Sequence, residues 1–97
     1  MTRRGRIRIQ EVLVHLGLDD DRLLSQLREE GLFETDEIDP RGADEFRLAA
    51  LMMTDLGVNP AGVHVALHLR RRLIALEARA SAMMKILQEE EDRNHVE

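Results

Sequence analysis

Apolar residues recur at helical spacing in four stretches, and glycines separate them. The first stretch, Ile9–Leu16, repeats Ile9, Val12, Leu13 and Leu16. The second, Asp20–Glu30, puts Leu23, Leu24 and Leu27 on one face. The third, Pro40–Leu56, lines Ala43, Phe46, Ala50, Met53 and Leu56 along one stripe. The fourth starts at Pro60 and meets no breaker before the acidic run Glu89-Glu90-Glu91-Asp92. Gly17, Gly31 and Gly57 each follow a periodic stretch, where a glycine that turns the chain out of a helix belongs. Asp19, Asp39 and Asn59 are the matching N-cap candidates, because a short side-chain oxygen can accept from first-turn amides. Pro40 and Pro60, the only prolines, directly follow two of these caps at the position proline prefers. The alternation Arg6-Ile7-Arg8-Ile9 predicts a short edge strand, and the segment Phe33–Ile38 is its plausible partner.

The fourth helix carries a second pattern. Ala66, Leu69, Leu73, Leu76, Ala80, Met83 and Leu87 fall at successive a and d positions of a heptad repeat with no polar interruption. Its length of some 30 residues, about 45 Å, exceeds what a domain this small can cover. The stripe therefore reads as a dimer seam over Leu69, Leu73, Leu76, Ala80, Met83 and Leu87; packing back on the first three helices is the alternative. Arg70-Arg71-Arg72 spreads over most of a helical turn, so it flanks the stripe and does not form one patch, with Arg72 and Glu77 in reach of cross-helix pairing.

Composition narrows the function classes. The chain has 97 residues, one domain's worth, and a hydrophobic content of 43% permits a single small core. Aromatics amount to 2%, Phe33 and Phe46, which argues against a β-sandwich or barrel and against a base-stacking platform for single-stranded nucleic acid. The absence of cysteine excludes disulfides, thiolate zinc sites and thiol catalysis. No apolar run approaches a membrane span, and Met1-Thr2-Arg3-Arg4 lacks the apolar stretch of a signal peptide, so a soluble cytoplasmic protein is expected. The net charge of −5 is unevenly divided: residues 1–8 carry +4, residues 9–47 carry −8 and residues 48–97 carry −1.

The order helix, glycine turn, helix, short wing, helix describes a winged helix-turn-helix. Ile9-Gln10-Glu11-Val12 through Leu16-Gly17-Leu18, then Glu30-Gly31-Leu32-Phe33, resembles the start of the MerR-type fold, and Asp55-Leu56-Gly57-Val58-Asn59 resembles its later turn. Within that class the chain is more similar to the CbpM-type chaperone modulators. In that family a Pro-x-Gly element opens a helix reading Val/Ile-x-Val-Ala-Leu, and here the run is Asn59-Pro60-Ala61-Gly62-Val63-His64-Val65-Ala66-Leu67. The resemblance spans roughly residues 7–90. The wing Glu34-Thr35-Asp36-Glu37 is short and lacks the aromatic that family members often carry before the third helix. The expected fold is all-α: a MerR-like winged helix-turn-helix at 9–57 with a minimal β wing, preceded by a basic arm and short strand at 1–8. A long C-terminal helix at 58–91 forms a coiled-coil-like seam, and a tail at 92–97 completes a single domain.

The resemblance implies an adaptor without catalysis, which binds the J-domain of a CbpA/DnaJ-type co-chaperone and keeps it from its Hsp70 partner. The charge distribution agrees with a protein partner. A recognition helix in the DNA major groove brings cations to phosphates, whereas this second helix opens on Asp19, Asp20 and Asp21, closes on Glu29 and Glu30, and leads to Glu34, Asp36 and Glu37. Asp20, Asp21, Glu29, Glu30, Glu34, Asp36 and Glu37 are the candidate partner-binding surface, suited to the positively charged helix that J-domains present. Helix-dipole compensation accounts for the aspartates at the helix start but not for Glu29 and Glu30 at its end. The alternative reading is a dimeric MerR-like regulator of transcription that meets DNA through Arg3, Arg4, Arg6, Arg22 and Arg28.

Candidate chemistry is sparse. His64 and His68 stand one turn apart, but Val65 occupies the place where a zincin-type helix carries glutamate, and no third ligand is near. Ser25 and Ser81 lie within expected helices without a histidine at triad-like spacing, and no glycine-rich phosphate loop exists. No cofactor, no metal and no enzymatic activity are expected.

Overall fold

Two helices begin with the same four-residue device, and the rest of the fold hangs from where it places them. The computed structural model describes residues 5–18 and 21–95. In chain order these form β1 (Ile7–Arg8), α1 (Ile9–His15), α2 (Asp21–Glu29), β2 (Glu37–Ile38), α3 (Pro40–Thr54) and α4 (Pro60–Asn94). The fold is thus mostly helical with one minimal sheet. Asp19, an expected cap of α2, lies outside the described residues.

The shared device is Asx-Pro-x-Gly. Asp39 Oδ1 accepts from the Gly42 amide at 2.7 Å and Asn59 Oδ1 accepts from the Gly62 amide at 2.7 Å, so each cap satisfies one orphan donor of its helix. Proline at the first helical position forfeits an amide that would have had no partner. Glycine at the third position is required by space. A Cβ on Gly62 would lie 2.8 Å from Val58 Cγ1, and one on Gly42 would lie 3.0 Å from Ile38 Cβ. The apolar residue before each cap therefore folds over the glycine.

Helices α1 and α2 close in the same way. Leu18 N–H donates to Leu13 O and Gly17 N–H to Val14 O; Leu32 N–H donates to Leu27 O and Gly31 N–H to Arg28 O, all at 2.9–3.0 Å. Both glycines adopt φ above +70°, which a side chain would strain. The strands pair antiparallel with Ile7 opposite Ile38 and Arg8 opposite Glu37. Their alternation sends Ile38 into the core and leaves Arg8 exposed.

The core gathers Ile9, Val12 and Leu13 from α1, Leu23, Leu24 and Leu27 from α2, and Ala43, Phe46, Ala49 and Ala50 from α3, with Val63 and Leu67 from α4. Phe33 meets Phe46 edge to face at 5.1 Å between ring centroids. Phe33 holds this place with φ 53°, a left-handed conformation rare for an aromatic residue.

The expected α3 stripe needs correction. Ala43, Phe46 and Ala50 are buried as expected, but Ala49 and Met52 complete the face, Met53 is only half-buried and Leu56 is 70% exposed. The physical reason is the helix end. Helix α3 stops at Thr54, and Val58 N–H closes the turn onto Met52 O at 2.9 Å, so Leu56 lies past the helix. Helix α4 also extends past the expected end at residue 91, to Asn94, with Arg93 in its last turn. Charge does not break a helical stretch that lacks glycine and proline, as residues 63–94 do.

The chain divides into two compact units, Met1–Leu67 and His68–Glu97. The first contains the core. In the second, every described residue is exposed except half-buried Arg70.

Candidate functional site

The expected acidic surface resolves into a close group and one outlier. Glu29 is exposed at the last residue of α2, and Glu30 follows it. Glu34 and Asp36 are exposed on the loop before β2, while Glu37 lies in β2 itself. Asp21 is exposed at the opposite end of α2, eight residues from Glu29 and about 12 Å away along the axis. Asp20 lies outside the described residues. The group at the helix end therefore comprises Glu29, Glu30, Glu34, Asp36 and Glu37.

One arginine organises that group. Arg28 reaches over the loop from the last turn of α2: its Nε donates to Phe33 O at 2.9 Å, and its Nη2 donates to Asp36 Oδ1 at 3.1 Å and to Thr35 O at 3.4 Å. Thr35 Oγ1 donates to Glu37 O at 2.8 Å, and Ile9 N–H donates to Asp36 O at 2.9 Å, which ties the loop to the start of α1. The guanidinium fork satisfies carbonyls that the left-handed Phe33 turns outward, a task that lysine's single point charge would perform poorly. Arg8, opposite Glu37, supplies the second cation of this region. Five carboxylates against two arginines leave it at −3. His64 of α4 adds an approach to Glu30, with Nδ1 to Oε2 at 3.9 Å.

Arg28 is one of the five arginines of the DNA reading, and the structure places it in an intramolecular network beside an exposed carboxylate. Arg6 and Arg22 are exposed. Arg3 and Arg4 lie outside the described residues. The role of Arg28 was not legible from spacing alone, because its partners are backbone oxygens that become neighbours only when the loop turns at Phe33.

The candidate seam on α4 is a second, separate feature. Leu69, Leu73, Leu76, Met83 and Leu87 are between 53% and 65% exposed, and Ala80 is exposed as well. Ile74, Met84 and Ile86 widen the apolar face. Among the described residues these side chains are as open as those of a lone helix.

Among the described residues no three potential ligands gather to hold a metal, and His64 and His68 are both exposed. Ser25 and Ser81 are exposed on α2 and α4. No described helix is long and apolar enough to cross a membrane. Comparison of the chain with protein-family models, with curated proteins and with solved structures finds no match.

Proposed function

We propose that this protein is a non-catalytic adaptor that binds the J-domain of a CbpA/DnaJ-type co-chaperone and holds it away from Hsp70. The observation that carries the reading is the acidic group at the end of α2, Glu29, Glu30, Glu34, Asp36 and Glu37, whose nearest α2 cation, Arg28, is engaged with the loop. The sequence resemblance to CbpM-type modulators supplies the partner, and the order of the four helices with a minimal two-stranded sheet suits a MerR-like winged helix-turn-helix. On this reading the loop 34–36 with β2 is the wing, and α2 corresponds to the helix that MerR-type DNA readers place in the major groove. A carboxylate beside a phosphate opposes binding, whereas beside a basic helix it speeds encounter and fixes register.

The adaptor is a homodimer in this proposal, joined through Leu69, Leu73, Leu76, Ala80, Met83 and Leu87. Fully burying a leucine or methionine contributes about 1.5–3 kcal/mol. The five large seam residues are more than half exposed, so ten of them across a dimer contribute roughly 8–15 kcal/mol. Association opposes this with about 4–15 kcal/mol. The balance predicts a dimer whose population depends on concentration.

The test is a titration of the wild-type protein and a Glu29→Lys/Glu34→Lys variant against the isolated J-domain of the same organism's DnaJ-like protein. Both residues are exposed. Reversing two charges is expected to weaken binding by about 5–30-fold, and more at low salt. Unchanged affinity in the variant overturns the surface. Nanomolar binding to duplex DNA with a steep salt slope, and none to the J-domain, overturns the adaptor in favour of a transcriptional regulator.

A further inference from the structure

The chain has no cysteine, tyrosine or tryptophan, so methionine sulfur is its most readily oxidised side-chain group. We propose that Met83 and Met84 form a reversible oxidation site, where conversion to methionine sulfoxide by a peroxide dissolves the α4 dimer. This rests on the dimer reading above and adds its regulation.

The fold sorts the methionines by access. Met52 is buried in the core, and Met53 is half-buried against it on the same turn of α3. On α4, Met83 is 65% and Met84 is 70% exposed. An oxidant dissolved in water attacks the sulfur it can reach, so among the described residues the α4 pair reacts first.

Position decides the consequence. Met83 holds a d position of the heptad stripe, between Ala80 and Leu87, and Met84 follows at the e position that flanks it. The thioether is apolar and pliant, which suits it to fill a seam beside small Ala80. The sulfoxide is polar, and its oxygen requires a hydrogen-bond donor. The side chains of Leu76, Ala80 and Leu87 along the stripe offer none. A symmetric dimer meets this cost once in each copy, and its dissociation constant is expected to rise about 30-fold or more.

Access and assembly are coupled. The stripe is open in the free chain and covered in a dimer that depends on concentration, so oxidation takes place on the free chain and traps it there. The acidic group on the first unit contains no sulfur, and the trapped chain keeps it.

The chemistry balances with hydrogen peroxide as the oxidant. A sulfur lone pair attacks one peroxide oxygen, and the O–O bond breaks as the S–O bond forms. Sulfur gives up two electrons, and the departing hydroxide takes the hydroxyl proton and leaves as water. Methionine sulfoxide reductases with a thiol reductant reverse the step, one enzyme for each sulfoxide epimer.

The test treats the wild-type protein with hydrogen peroxide, locates sulfoxides by peptide mass spectrometry and measures association by sedimentation equilibrium. Met83 and Met84 are expected to gain oxygen before Met52 and Met53, and faster at low protomer concentration. The dissociation constant should rise by the factor above and return after treatment with both reductases. A Met83→Leu/Met84→Leu variant, close in side-chain volume, should dimerise and keep its dissociation constant through the same treatment. Met83→Gln, which sets a polar group in the stripe, should weaken the dimer without any oxidant. Oxidation of Met83 that leaves the dissociation constant unchanged overturns the proposal, as does equal weakening of the leucine variant or oxidation of Met52 ahead of the α4 pair. A wild-type chain that is monomeric before treatment overturns the dimer reading itself, so the two failures are distinct.

Discussion

Replacing Gly62 with alanine should destabilise the protein, although alanine is the better helix former by about 1 kcal/mol. The reason is space. The new Cβ would sit 2.8 Å from Val58 Cγ1 and 3.1 Å from Asn59 Oδ1, where comfortable carbon contacts begin near 3.5 Å. Val58 cannot swing aside easily. Its branched side chain has few rotamers, it packs against the core, and its amide is held to Met52 O at 2.9 Å. Forcing one carbon into such a site costs about 1–3 kcal/mol, and displacing Asn59 weakens a cap worth about 1 kcal/mol. After the helix-propensity gain, the net loss is about 1–2 kcal/mol, or a Tm lower by roughly 4–16 °C for a chain of this size. Urea denaturation followed by far-UV circular dichroism measures it, with protomer concentration fixed because a dimer makes apparent stability concentration-dependent. A double-mutant cycle isolates the cause: in a Val58→Ala background the same glycine replacement should be neutral or stabilising, with a coupling of about 1 kcal/mol or more. A wild-type background in which Gly62→Ala raises the Tm, or a cycle that is simply additive, would refute the steric account.

Phe46→Ala should lose about 3–5 kcal/mol, because the ring is fully buried and edge-to-face with Phe33; thermal melts should show the first unit largely unfolded at ambient temperature. Asp39→Ala and Asn59→Ala should each cost about 1 kcal/mol, and the double variant should show their sum, since the two caps serve different helices; chemical denaturation reads all three. Arg28→Ala should raise hydrogen exchange in residues 33–37 and weaken J-domain binding, despite making the surface more negative. Tighter binding of that variant would show that net charge alone governs recognition.

The helix starts were legible because their signal is local. An Asx before a proline states a cap within two residues, and Asp39 and Asn59 perform as that chemistry requires. The glycines that end α1 and α2 are legible for the same reason. The recurrence of glycine three residues after each cap carried information that periodicity does not weigh, because it depends on which side chain precedes the cap and folds back over it. The buried face of α3 was only partly legible. A 3.6-residue period gives the centre of a stripe but neither its width nor the residue where the helix stops, and both were decided by packing on α1 and by the turn at Gly57. The acidic run suggested an ending at about residue 91, yet α4 continues to Asn94, and Arg93 Nε donates back to Glu89 O.

The apolar stripe of α4 was visible in the sequence as a heptad pattern, and its exposure in the single chain sharpens what that pattern means. The acidic surface was visible as a count of carboxylates, but a count does not separate a face made for recognition from one that is merely solvated. The Arg28 network bears on that difference. A merely solvated loop has no need of an arginine fork on two backbone carbonyls and a carboxylate, nor of a phenylalanine held at positive φ against the core. Such a conformation persists only where its surroundings over-determine it. Here they fix the path of the chain through Glu34, Asp36 and Glu37 and engage the nearest α2 cation with the loop. The arrangement is unfavourable for the DNA reading, because the Arg28 guanidinium is paired with Asp36 and carboxylates outnumber cations around it. For the proposed adaptor, a loop already held by these hydrogen bonds would lose less ordering entropy when a basic partner docks.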